Sequence, residues 1–205
     1  MVKKTNKVQR RDFLLQLKDS LKESDIVVAA LAGTTYDCYE NLDRTGNLYA
    51  VGMGMPTPVG FGLALALAKR RVIVLDTDGS LLLSPSILSV IGVYKPKNLS
   101  VIVFDNEQLY GSRGGPASQT AYGADLAGIA RAAGIEKAAT VEDPETFKSK
   151  ISWFLREEGP VVLIAKVQGE FHKGDGPKIS GQENKFKLVR FIEETEKIEI
   201  LRAAK

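Results

Sequence analysis

Four short runs dominated by Val, Ile and Leu constrain this chain more than any other feature. They span Ile26 to Leu31, Arg71 to Leu75, Leu99 to Phe104 and Val161 to Val167. Each is too short to cross a membrane and too uniformly apolar to keep one face in water. Between them apolar residues recur at helical spacing, as Phe13, Leu14, Leu17 and Leu21 do within 9–24. Strands that are apolar on both faces and separated by helices demand a mostly parallel sheet, covered on both sides by right-handed crossovers. One doubly wound α/β domain over 1–205 is the expectation, with an N-terminal amphipathic helix in 1–24 and a C-terminal helix and tail in 182–205. Further helices are expected over 34–42, 63–69, 84–93, 124–133, 144–158 and 183–196, and a short strand over 138–141. Asp43 to Asn47 reads as a polar loop, and Val51 to Gly62 as a glycine-rich passage.

Composition removes several function classes. The longest uncharged stretch, Thr45 to Ala68, is broken by glycines and prolines, so no membrane span is expected. A single cysteine, Cys38, excludes a disulfide framework or a thiolate metal site within this chain and reads as a small buried hydrophobe. A single histidine, His172, leaves no multi-histidine centre. No basic-then-apolar leader opens the sequence, and a cytoplasmic location is expected. The net charge of +3 is mild. Lys3, Lys4, Lys7, Arg10 and Arg11 precede the first acid, Asp12, but without interleaved aromatics they predict a solvated terminus and no nucleic-acid partner.

Ligands of open α/β sheets bind beyond the carboxyl ends of the strands. There the run ending at Leu75 continues into Asp76-Thr77-Asp78-Gly79-Ser80, and the run ending at Phe104 into Asp105-Asn106. Adjacent strands would bring Asp78 and Asn106 to one sheet edge. A carboxylate, an amide oxygen and a loop carbonyl are the hard ligands that Mg²⁺ accepts when phosphate oxygens complete its octahedron. Gly79 admits a phosphate close to the backbone, and the amides of the helix beyond Ser80 would support it. The residues alone thus propose a metal-bridged diphosphate site. Read singly, Asp78-Gly79-Ser80 is also a turn and helix cap, and Asp105-Asn106 the start of a loop; their pairing at successive strand ends favours the site. A dinucleotide fold is the other reading, with Gly52-Met53-Gly54 before a helix and Asp76 as a ribose contact. Against it, Thr57 stands at the third fingerprint position, between Pro56 and Pro58.

Asp78-Gly79-Ser80, with Asn106 28 residues beyond Asp78, resembles the thiamine-diphosphate motif, a Gly-Asp-Gly and an Asn-Asn at comparable separation. Thr77 replaces the first glycine and Asp105 the first asparagine, while the implied Mg²⁺ ligands Asp78 and Asn106 are kept. The resemblance makes a backbone carbonyl near Gln108 the third ligand, in a segment running on to Tyr110 and Gly111 that is one residue longer than usual. It makes Gly52-Met53-Gly54 the segment that cradles the thiamine rings, with Met53 bending the cofactor and the carbonyl of Val51 or Gly52 accepting from its amino group. Gly33-Thr34-Thr35 resembles the second diphosphate-contacting turn, alongside Gly79 and Ser80.

Among subfamilies, the stretch from Asp43 through Gly115 is most similar to beta subunits of sulfopyruvate decarboxylase and C-terminal domains of phosphonopyruvate decarboxylase. The resemblance implies a carboxy-lyase subunit with no catalytic residue of its own. The activating glutamate would come from a partner carrying the pyrimidine-binding domain, in a hetero-oligomer that also self-associates. The substrate would be a small anionic 2-oxoacid, with Arg113, His172 and Lys173 as candidate anion contacts. The alternatives are another split thiamine enzyme, acetolactate synthase-like or an oxidoreductase beta subunit, and a non-catalytic partner module of the same fold.

Overall fold

The computed structural model describes residues 8–109, 115–169 and 175–201. Its strands are β1 (Ile26–Ala30), β2 (Asn47–Val51), β3 (Val72–Thr77), β4 (Leu99–Asp105), β5 (Lys137–Val141) and β6 (Val161–Lys166). They form one sheet in the order β2-β1-β3-β4-β6-β5, and every pairing is parallel. The helices are α1 (Arg10–Lys18), α2 (Gly33–Leu42), α3 (Pro56–Ala66), α4 (Asp78–Leu83), α5 (Ile87–Tyr94), α6 (Leu126–Ala132), α7 (Pro144–Arg156) and α8 (Gly181–Glu196).

Alternation along each strand sorts the core into two layers. Val27, Ala29, Ile73 and Leu75 pack with Phe13 of α1, Cys38 of α2 and Phe154 of α7. Their neighbours Ile26, Val28, Val72 and Val74 pack with Ala64 of α3, Ile91 of α5, Ala130 of α6 and Leu188 of α8. Every residue of β1 and β4 is buried, which is why those strands read as continuous apolar runs. Phe13 meets Phe104 and Phe147 edge-on, with ring centroids 5.8 and 3.9 Å away, and so fixes α1 against the sheet. Among the described residues no helix is long and apolar enough to cross a membrane.

Three stretches depart from expectation. Residues 47–51 form β2 instead of joining a polar loop to a glycine-rich passage. This edge strand buries only Asn47 and Tyr49 fully, an alternation too short to stand out in the sequence. Helix α3 opens at Pro56, inside the glycine-rich passage, because a proline in the first helical turn has no amide to leave unpaired. The helix expected over 84–93 begins at Ile87, and Ser84-Pro85-Ser86 separates it from a short helix, α4, that starts directly on Asp78.

Helix α8 completes the exposed side of β2. Buried Asn184 accepts from the Tyr49 amide at 2.7 Å and donates to the Asn47 carbonyl at 3.0 Å. Asn184→Ala leaves both backbone groups unpaired. It should cost about 2–3 kcal/mol in urea unfolding and speed amide exchange at Tyr49. Unchanged exchange would mean that Leu188 and Ile192 alone hold the strand.

Candidate functional site

Chain connections leave β1 toward β2 on one side and β3 toward β4 on the other, which opens a crevice at the carboxyl ends of β1 and β3. A cavity of about 180 Å³ lies there. Its walls are residues 30–34 after β1, residues 77–80 after β3, and Phe104, Asn106, Gln108 and Leu109 around the end of β4, with Met53 and Arg10 closing it.

Asp78 is the chemical centre of this cavity. Its Oδ2 accepts from Ser118 Oγ at 2.5 Å and Thr120 Oγ1 at 3.3 Å. Its Oδ1 is buried without a partner. Gln108 lines the same wall, and its Oε1, also unpartnered, lies beside Gly169. A buried acceptor oxygen left unpaired in a cavity wall, as Asp78 Oδ1 is, is costly unless a cation or donor completes it. Burial pushes the Asp78 carboxyl up to about 6, and the charge of Asp105 adds to the rise against the hydrogen bonds from Ser118, Gly79 and Thr120. Asp105 is itself buried, accepts from Thr120 Oγ1 and the Glu107 amide, and pairs with Lys166 Nζ at 2.7 Å. That pair follows from the sheet register, which sets Asp105 on β4 beside Lys166 on β6.

Asn106 Oδ1 accepts from the Gln108 amide at 3.2 Å and keeps a second lone pair. Asp78 and Asn106 therefore offer hard oxygens in a wall that Gln108 also lines, where a backbone carbonyl is the expected third ligand, and this chemistry fits Mg²⁺ sharing its shell with phosphate. Gly79 extends the fit. A Cβ there would fill space 2.8 Å from Leu109 Cδ2, so its absence leaves a cradle beside the first turn of α4. Thr77, which stands for a glycine in the motif, caps α4 by accepting from the Ser80 amide at 3.4 Å. The cap thus comes from Thr77, and Asp78 remains free to face the cavity.

The structure places the other expected residues less uniformly. Gly33, Thr34, Met53 and Ser80 line the cavity. Thr35, Val51 and Gly52 do not: the Thr35 hydroxyl donates to the Ala30 carbonyl and accepts from the Ala50 amide, both at 2.7 Å, and so clamps β1 to β2. The Val51 carbonyl accepts from the Leu31 amide and that of Gly52 from the Met55 amide, each retaining one lone pair. Ser80 Oγ accepts from the Gly54 amide at 3.0 Å, while Ser84 Oγ donates to the Gly54 carbonyl at 2.5 Å. These bonds hold Met53 over Gly79. Tyr110, Gly111, Arg113, His172 and Lys173 lie outside the described residues.

Asp76 closes the dinucleotide reading. It is fully buried, accepting from the Thr57 hydroxyl at 2.6 Å and the Thr57 and Thr77 amides, so it anchors α3 and reaches no ribose. Cys38 is likewise a core residue, its thiol pushed up first by burial. Spacing revealed neither Ser118 and Thr120, which arrive from a polar loop, nor Lys166. Arg10, assigned to a solvated terminus, instead lines the cavity with its side chain 14% exposed.

A parallel sheet with this switch-point cavity is shared by proteins that hold a diphosphate on a divalent cation, and sequence comparison identifies which of them this is. Residues 29–165 match the profile of the thiamine pyrophosphate enzyme C-terminal TPP-binding domain, and the chain belongs to that family. Among its relatives, sulfopyruvate decarboxylase subunit beta of Methanocaldococcus jannaschii is 35% identical over 159 residues, 78% of this chain and 84% of that one. Phosphonopyruvate decarboxylase of Streptomyces viridochromogenes is 29% identical over 180 residues, 87% of this chain but 45% of that one. In fold, the chain superposes with a TM-score of 0.66 on a crystal structure described as a thiamin diphosphate-dependent enzyme from Mycobacterium smegmatis. That match covers 80% of this chain and 32% of the other at 22% identity.

Proposed function

We propose that this chain, as one domain over 1–205, is the diphosphate- and Mg²⁺-binding subunit of a two-chain, thiamine-diphosphate-dependent 2-oxoacid decarboxylase with sulfopyruvate as its substrate. One observation carries the reading: the buried Oδ1 of Asp78 has no partner in a cavity wall that Asn106 and Gln108 also line, at the switch point of a TPP-binding fold. Similarity to the M. jannaschii beta subunit over 84% of its length supplies the substrate class. The longer sulfopyruvate decarboxylase of Methanosarcina acetivorans matches this chain over only 35% of its own length, which supports a second chain for the remainder. A cytoplasmic location goes with the proposal.

Each residue has a defined task. Asp78, Asn106 and Gln108 hold the cation, and through it the diphosphate. Gly79 and the loop of Gly33 and Thr34 let backbone approach the phosphates, and Met53 backs the thiamine rings. Ser118 and Thr120 orient Asp78 by donating to Oδ2, which leaves Oδ1 for the metal. Bound there, the cofactor supplies an electron sink for the carbanion left when CO₂ departs. Among the described residues that line the cavity only Asp78 is a carboxylate, and as a metal ligand it is unsuited to proton transfer. The group that activates the cofactor is therefore assigned to the partner.

The test measures CO₂ release from sulfopyruvate, phosphonopyruvate and pyruvate by the purified chain alone and with the partner recovered on it by affinity purification. The chain alone should be inactive and the pair active, fastest on sulfopyruvate. Turnover by the chain alone would overturn the two-chain reading, and an inactive pair would overturn the decarboxylase.

A further inference from the structure

Arg10 is the one cation among the described residues that line the cavity, and it comes from α1, an element outside the loops that build the site. Three contacts aim it. Nε donates to Asp37 Oδ2 at 2.5 Å, Nη1 donates to Thr34 Oγ1 at 3.3 Å, and the guanidinium lies over the Phe104 ring, 5.8 Å from its centroid. Phe13, one turn later on α1 and fully buried, holds the helix so that this geometry is kept. The remaining nitrogen, Nη2, has no hydrogen-bond acceptor among the described residues. It rests against Gly33, where a Cβ would stand only 2.8 Å from it. The glycine thus leaves room for a guanidinium edge in the cavity wall.

We infer that Arg10 is an anion contact of this site, donating through Nη2 to a phosphate oxygen of the bound diphosphate. The inference rests on the cofactor reading above. A diphosphate brings more negative charge than one divalent cation neutralises, and Asp78 adds another in the same wall. A planar donor fork, already fixed by Asp37 and Thr34, loses little freedom on accepting an oxyanion and suits phosphate geometry. Asp37 positions Arg10 and does not itself line the cavity.

The experiment is calorimetric titration of the full chain with Mg²⁺-pyrophosphate and with Mg²⁺-thiamine diphosphate. It compares wild type, Arg10→Ala, Arg10→Lys and Asp37→Ala, each checked for a native melting transition. Arg10→Ala should weaken both ligands about 10- to 100-fold, the range of a charge-assisted hydrogen bond. Arg10→Lys should recover part of that loss. Asp37→Ala, which breaks the same ion pair but leaves the guanidinium on Thr34 and Phe104, should stay within about threefold of wild type. Equal losses in Arg10→Ala and Asp37→Ala would overturn the inference by reducing Arg10 to a tether for α1. Wild-type pyrophosphate affinity in Arg10→Ala would overturn it as well, including when only the KM of the 2-oxoacid rises in the assembled enzyme. A wild-type chain that binds neither ligand at millimolar concentration would remove the cofactor reading itself.

Discussion

Asp78→Asn should abolish the Mg²⁺-dependent stabilisation of this chain by thiamine diphosphate while leaving the cofactor-free protein at least as stable as wild type. The two halves of the expectation share one cause. Asp78 keeps a buried oxygen unpaired and lies close enough to Asp105 for that charge to raise its carboxyl, which burial already pushes up to about 6. Such a group is poor for folding and good for binding a cation. At a hundredfold excess over Kd, ligand binding stabilises by about 2.7 kcal/mol; a hundredfold loss of affinity would leave about 0.4 kcal/mol. Thermal unfolding with Mg²⁺ or EDTA reads the difference directly. A variant that kept the Mg²⁺-dependent shift would remove Asp78 from the metal site.

The same carboxyl sets a pH dependence whose sign is fixed. Its folded value, about 6, lies above the ordinary 3.8. The charged form is therefore the destabilised one in the folded, cofactor-free chain. The penalty is absent below pH 4, grows between 4 and 6, and is complete above 6, on the order of 2–3 kcal/mol. Asp78→Asn should lack this slope. Metal binding runs the other way: below pH 6 protons compete for Asp78, and affinity should fall about tenfold per unit.

Lys166→Met should destabilise the fold by about 3–5 kcal/mol, because it leaves the buried carboxylate of Asp105 without its cation. The Asp105 side chain is 1% exposed and that of Lys166 16%, so solvent screens their 2.7 Å pair little. Burial works to lower the Lys166 ammonium, but its bonds to Asp105 and Glu107 outweigh burial and hold it above its ordinary value. Adding Asp105→Asn to Lys166→Met should recover most of the loss, since an amide oxygen still accepts from Thr120 and the Glu107 amide. A fall of several kcal/mol lowers the melting temperature by about 10 °C, easily followed by circular dichroism. If the double variant melts as low as Lys166→Met, the charge pair is not what the substitution damages.

Fold class and the oxygen-bearing cavity wall were legible in the chain for the same reason. Strands buried on both faces must be apolar throughout, and a polar residue directly after such a strand stands at the sheet edge. Asp78 and Asn106 were visible because they follow consecutive apolar runs. β2 was not, because an edge strand covered on one side has only a five-residue alternation to show, and its second side is supplied by Asn184, 135 residues beyond Tyr49. Thr35 was misleading: its neighbours in sequence point to the cavity, but its hydroxyl is used up between Ala30 and Ala50.

The sequence by itself determined a parallel doubly wound sheet, the strand ends that carry the site, and the oxygen ligands that suit Mg²⁺ and a diphosphate, since each depends on residues near one another in the chain. Tertiary structure alone decided the strand order, the Asp105–Lys166 pair across β4 and β6, the orientation of Asp78 by Ser118 and Thr120, and the entry of Arg10 from α1. Those side-chain contacts join residues 24 to 94 positions apart whose meeting depends on sheet register and helix packing. Neither leaves a periodic mark in the local sequence, because only the folded sheet brings those side chains within bonding distance.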